Sequence, residues 1–246
     1  MSLKQSLEDL EIAKAANSEE AVANACYKIG DIHLRRKNWQ EAKTYLHQAE
    51  AICQRLGNQE GFALTAIGLG DVYANINQPT KAVAYYQAAL EFYEDLDDDK
   101  SIANLMDRMG GLYRGDGELR RALEMFARGL HICRSYNDKL GIAHFSEKMA
   151  LVHCRLNEID HAMDHFWEAL ELYRELRVAD RLAFVLTGIG ELYHQKGQPE
   201  QAMEFWRQAL HIYGKLGARQ PAELLVKQMA VLKAETVMNQ EGPVDN

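Results

Sequence analysis

The feature that most constrains this chain is a 40-residue repeat that runs without a slip through five successive units. Gly30, Gly70, Gly110 and Gly190 occupy one column, with Ala150 in the fourth unit. Three residues further on stand His33, Tyr73, Tyr113, His153 and Tyr193. A second small column reads Ala42, Ala82, Ala122, Ala162 and Ala202, and four residues past it come Leu46, Tyr86, Phe126, Phe166 and Trp206. Ala49, Ala89, Gly129, Ala169 and Ala209 follow. Self-similarity at a fixed period marks a stacked array, in which each unit buries its apolar face only against its neighbours.

Within a unit the hydrophobic spacing is helical. Thr65, Leu69, Val72 and Tyr73 share one face of a first helix, while Ala82, Tyr86, Ala89, Leu90, Tyr93 and Leu96 share a face of a second. A short turn separates the two helices of a unit. Pro79 and Pro199 suit the first position of the helix that follows, where a missing N–H costs nothing, and Asp116-Gly117 marks the same turn in the third unit. Longer junctions between units are expected at Gly57-Asn58, Asp97-Asp98-Asp99, Asn137-Asp138 and Gly217. A glycine inside a helix costs about 1 kcal/mol relative to alanine. Repeating it at one position therefore predicts close approach of the partner helix, with the aromatic column filling the space between neighbouring pairs.

These residues carry a family likeness. Met109-Gly110-x2-Tyr113 followed by Ala122-x3-Phe126, and Ile189-Gly190-x2-Tyr193 followed by Ala202-x3-Trp206, resemble the tetratricopeptide repeat over about residues 19 to 218. Two features depart from that pattern. The tryptophan that usually heads the first helix is replaced by Cys26, Ala66, Met106, Ser146 and Leu186. The period is 40 rather than the usual 34 or so, and the terminal proline is absent. The variant is similar to repeats of the Leu-Gly-Asn cell-polarity adaptors, kinesin light chains and bacterial regulators that include peptide-sensing aspartyl-phosphate phosphatases.

The resemblance implies an all-α, right-handed superhelical solenoid of antiparallel helix pairs, with about twelve helices. The expected organisation is a single array over 1–238, with a leading half-unit at 3–16. Full units cover 19–58, 59–98, 99–138, 139–178 and 179–218, and a capping helix covers 221–237, where Met229-Ala230 takes the place of Ile189-Gly190. Residues 239–246 are expected to be a loose tail.

Composition narrows the functional classes. A formal net charge of -8 and the lack of a Lys/Arg block argue against nucleic acid as a partner. No run of about 18 apolar residues is present to span a bilayer, so no membrane partner is expected. Near the N-terminus Leu3, Leu7 and Leu10 alternate with Lys4, Glu8, Asp9 and Glu11, which makes an amphipathic helix rather than a signal peptide. Cys26, Cys53, Cys133 and Cys154 form no CxxC pair and are expected to be reduced and mostly buried, in a cytoplasmic protein.

If the repeated columns form the core, function falls to first-helix positions that vary between units. The resemblance places these on a concave face. They are Asn24, Tyr27, Lys28, Asp31 and Arg35 in the first unit, and Leu64, Ile67, Asp71 and Asn75 in the second. Asn104, Asp107, Arg108 and Arg114 follow in the third, His144, Glu147, Lys148 and Arg155 in the fourth, and Phe184, Thr187, Glu191 and His194 in the fifth. Asn and Arg can bond a peptide backbone and carboxylates, while Tyr27, Ile67 and Phe184 offer apolar footholds. A chaperone-type carboxylate clamp is not expected, because Tyr27 and Asp31 stand where that subclass carries Lys and Asn.

Chemistry-bearing constellations have structural readings. His161-x3-His165 has helical metal-ligand spacing, yet the glutamate of HExxH is missing. His161 shares a column with Glu41, Lys81, Arg121 and Gln201, and His165 shares one with Tyr45, Tyr85, Met125 and Phe205, which are surface and packing positions respectively. The Asp95-x-Asp97-Asp98-Asp99 run has Lys100 and Met106 where a calcium loop needs Gly and Glu. Gly68-x-Gly70 and Gly115-x-Gly117 follow no strand, so they cradle no phosphate. No metal, cofactor or catalytic role is expected. The sequence reads as a non-catalytic adaptor, a monomer or weak homo-oligomer, that binds a peptide segment of another protein in its concave groove. The alternatives are a regulatory sensor related to peptide-responsive phosphatases, whose catalytic bundle precedes their repeats, and a scaffold that self-assembles through its ends.

Overall fold

The computed structural model describes residues 2–241, with side chains through 236. Among the described residues the chain forms twelve α-helices: α1 (Leu3–Ala15), α2 (Glu19–Arg35), α3 (Trp39–Leu56), α4 (Gln59–Asn75), α5 (Pro79–Asp95), α6 (Asp99–Gly115), α7 (Leu119–Ser135), α8 (Lys139–Arg155), α9 (Ile159–Glu175), α10 (Ala179–Gln195), α11 (Pro199–Leu216) and α12 (Arg219–Glu241). They belong to two compact units, Met1–Met125 and Phe126–Asn246. In the first, α2 pairs with α3 and α4 with α5, α1 packs on α2, and α2 lies alongside α4. In the second, α8 pairs with α9 and α10 with α11, and α12 packs on α11. Helix α12 includes residues 239–241 of the stretch expected as a tail, and 242–246 lie outside the described residues.

Turn chemistry sets the period. A residue with left-handed backbone recurs every 20 positions: Asn17, Lys37, Gly57, Asn77, Asp97, Gly117, Asn137, Asn157, Arg177, Gly197 and Gly217. Each stops a helix, and the next N–H turns back to a carbonyl of the last turn, as Asn38 N–H does to His33 at 2.9 Å and Gln78 N–H to Tyr73 at 2.9 Å. Junctions between units are therefore built like the turns inside them, and the expected longer junctions are absent at these positions. A difference appears at the next helix start. Ser18, Asn58, Asp98 and Asp138 accept the N–H three residues on and cap first helices, whereas Val178 breaks that column.

The small columns let helices touch. A Cβ added at Gly70 would lie 2.3 Å from Tyr86 Cε1, and one at Gly190 would lie 2.3 Å from Trp206 Cδ1. Leu46 fills the gap between two successive first helices, because both Gly30 and Gly68 face it. Phe166 meets Gly188 in the same way in the second unit. Ala42, Ala82, Ala122, Ala162 and Ala202 are all fully buried. Side-chain rings add a second recurring contact: His33 stacks on Tyr45, Tyr73 on Tyr85, His153 on His165 and Tyr193 on Phe205.

Candidate functional site

The first unit brings most of its expected face together. Helices α2 and α4 lie side by side, so residues facing away from α3 and α5 form one surface. Asp71 is its hub. It accepts from the Tyr86 hydroxyl at 2.6 Å and from Arg108 Nη1, while Arg108 Nε donates to Asn104 Oδ1 at 2.8 Å. Arg108 also lies over the Tyr86 ring, 6.0 Å from its centroid. The Asp71–Arg108 pair thus joins α4 to α6. Burial, then the Asp71 carboxylate, pushes the Tyr86 hydroxyl far above the ordinary phenol range.

Tyr27 is the half-buried ridge of this surface. On one side a hollow of 180 Å³ opens between α2 and α4, where Ala23, Asn24, Cys53 and Leu64 meet Glu20 and Glu60. On the other side a hollow of 410 Å³ is lined by Lys28, Asp31, Ile32, Arg35 and Arg36. Arg35 and Asp31 pair at 2.8 Å across one turn of α2. Ile67 is half-buried, and exposed Asn75 donates to the Asp71 backbone carbonyl at 2.9 Å. Asp107 and Arg114 are half-buried on α6.

The second unit departs from expectation at Glu147. Placed in the groove by its column, it is 1% exposed. Its carboxylate accepts from the Tyr173 hydroxyl at 3.0 Å and from Arg181 Nη1 at 3.3 Å. A buried carboxylate needs such partners, because desolvation without them costs several kcal/mol (order of magnitude). Glu147 is thus an internal ion-pair residue that no surface ligand reaches. Thr187 turns its hydroxyl to the Ala183 carbonyl at 2.9 Å. Glu191 and His194 face α12, where Gln228 lies 3.4 Å from the former and Glu235 lies 3.3 Å from the latter. His144 sits edge-on to Phe145 and is half-buried, as is Lys148, and Arg155 is exposed. Phe184 is 39% exposed.

The sequence column treats Tyr86 wholly as packing and misses its polar end, and Tyr173, the partner of Glu147, is not singled out by any column. A signal was present for Tyr86: Leu46, Phe126, Phe166 and Trp206 share its column, and of the five it alone carries a hydroxyl. The fourth unit also gathers three histidines, since His153 lies 5.3 Å from His161 and 5.4 Å from His165 between ring centroids. His153 Nδ1 is bonded to Glu158 at 2.7 Å. Among the described residues no group of three or more His, Cys, Asp or Glu side chains is arranged to hold a metal ion. Burial raises all four cysteine thiols, with Cys154 pushed up to about 11, so they lack the thiolate character of nucleophiles. Among the described residues no helix is long and apolar enough to cross a membrane.

Comparison with known proteins places the fold. The tetratricopeptide-repeat family model matches residues 21–95, 62–135 and 140–215, well over half of the chain. Comparison with curated proteins by sequence gives no significant match. Among solved structures, BtubC (BKLC) from P. vanneervenii is 14% identical with a TM-score of 0.75, over 89% of this chain and 92% of that one. The apo form of RapI is 19% identical with a TM-score of 0.76, over 89% and 85%. YrrB, described as a protein of this repeat class with an unusual peptide-binding site, is 16% identical with a TM-score of 0.60, over 89% and 96%. At these identities the likeness is one of fold.

Proposed function

The chain belongs to the tetratricopeptide-repeat family, and from that premise we propose that it is a non-catalytic, cytoplasmic adaptor that holds a peptide segment of a partner protein. The carrying observation is the face of α2, α4 and α6 that turns away from α3 and α5, the one expected to line the groove. There Tyr27, Leu64 and Ile67 offer apolar contact beside polar groups that are fixed in place by the Asp71–Arg108–Asn104 chain. Pre-set donors and acceptors lower the ordering cost of binding, and an elongated polar-apolar face suits an extended segment. The peptide-binding site described for YrrB, on the same fold, supports the reading. Lys148, Arg155 and Phe184 extend the proposal to the second unit, where Glu147 drops out because it is buried.

The test is affinity capture from native-source lysate with the whole chain and with an Asn24→Ala, Tyr27→Ala, Ile67→Ala variant. A partner held by the first and lost by the folded second, as judged by circular dichroism, is the expected result. Identical capture by both chains removes the face from consideration.

A further inference from the structure

Two hollows flank Tyr27, and their rims carry opposite charge. The one between α2 and α4 has Glu20 and Glu60 at its edge over a floor that includes Ala23, Cys53 and Leu64. The one beyond Tyr27 is edged by Lys28, Arg35 and Arg36, with Asp31 neutralising only Arg35. Among the described residues Glu20, Glu60, Lys28 and Arg36 make no ion pair, so these charges are available to a ligand. We infer that this face reads charge order along its ligand: it takes a partner segment in which a basic side chain enters the Glu20–Glu60 hollow, an apolar residue covers Tyr27, and an acidic side chain meets Lys28 and Arg36. The inference rests on the groove reading above and specifies its ligand.

The spacing follows from helix geometry. Glu20 and Lys28 are eight residues apart on α2, or about 12 Å at 1.5 Å per residue. An extended chain rising about 3.3 Å per residue crosses that distance in about three to four steps. Complementary rim charges add selectivity and speed encounter more than they add affinity, since exposed pairs are worth little singly. The reversed order would place a carboxylate against Glu20 and Glu60 and an ammonium against Lys28 and Arg36. Like-charge contacts of that kind discriminate against wrong segments.

The experiment is selection from a phage-displayed library of random peptides on the whole chain. Selected peptides are re-measured by fluorescence anisotropy on wild type, on Tyr27→Ala, and on a quadruple variant carrying Glu20→Lys, Glu60→Lys, Lys28→Glu and Arg36→Glu. Glu20, Glu60 and Arg36 are exposed and Lys28 is half-buried, outside the core, so the quadruple variant tests charge, with circular dichroism checking that it folds. Expected are peptides with a base and an acid about three to four residues apart, bound at least about tenfold more weakly by the quadruple variant and recovered when the peptide's own charges are swapped. Peptides that need Tyr27 but show no charge pair, or ignore the reversal, overturn the inference and leave the groove reading standing. If no selected peptide is sensitive to Tyr27→Ala, both fall.

Discussion

The Tyr86 hydroxyl donates a 2.6 Å hydrogen bond to Asp71 Oδ1, which ties the buried aromatic column to the outer face of α4. The same carboxylate holds Arg108 on α6, so one side chain links core packing to the position of a surface cation.

Removing the hydroxyl tests that link. Tyr86→Phe keeps the ring against Gly70 and deletes only the donor, so a loss of about 1–2 kcal/mol is expected. Asp71→Ala is expected to cost more, because it strands both the Tyr86 hydroxyl and the Arg108 guanidinium. Urea denaturation of the two single variants and the double variant should reveal coupling of at least about 0.5 kcal/mol. Strict additivity would show that the contact carries no weight in solution.

Glycines inside the helices should separate into two groups. Gly70→Ala and Gly190→Ala force a methyl to within 2.3 Å of Tyr86 and Trp206, and each should destabilise by about 1–3 kcal/mol through overpacking. Gly111→Ala meets nothing within 4 Å and should stabilise by up to about 1 kcal/mol. Thermal melts that rank all three variants alike would contradict the close-approach account of the glycine column.

Left-handed turns offer a gain elsewhere. Lys37 and Arg177 adopt φ of 62° and 57° without the benefit that Gly or Asn brings at the equivalent turns. Lys37→Gly and Arg177→Gly should each stabilise by about 0.5–1 kcal/mol, the relief of strain outweighing glycine's greater freedom when unfolded. A fall in the urea midpoint for both would count against strain at these positions.

The histidine stack makes a pH prediction. Burial, with His153 and Arg134 nearby, holds His165 below its ordinary value of 6.5, against opposing pulls from Glu168 and Asp164. The unfolded chain therefore binds this proton more readily. Stability should fall as pH drops below about 6.5 and level off, for this group, once the folded pKa is passed. His165→Tyr restores the residue found at Tyr45 and Tyr85 and should flatten that part of the profile. Melting temperatures of the two chains from pH 7.5 to pH 5 decide it, and parallel curves would exclude His165 as the source.

The fold was legible because period, small columns and turn residues all repeat, so each unit independently specifies the same helix pair. Junction length is less legible: Gly57-Asn58 and Asp97-Asp98-Asp99 look unlike Asn77 or Asn157 in sequence, yet one left-handed residue does the same work in each. The surface was less legible. Column logic tells which way a Cβ points but not where a long side chain ends. Glu147 occupies the column of Tyr27 and Ile67 and still turns inward, because Tyr173 and Arg181 supply its partners. Tyr86 sits in a packing column and still gives its hydroxyl to Asp71 on α4. Both outcomes depend on residues about 15 or more positions away, which periodicity alone does not connect.

The central claim is that the groove face of the first helices holds the partner, and site-specific photo-crosslinking tests it most directly. A photoreactive phenylalanine analogue would be placed at Asn24, Ile67 or Asn104 on α2, α4 and α6, and at Thr44, Ala84 or Glu124 on α3, α5 and α7. The account predicts adducts with a common partner polypeptide from the first set and none from the second. Adducts confined to the second set would move the binding surface to the other helices and contradict the account.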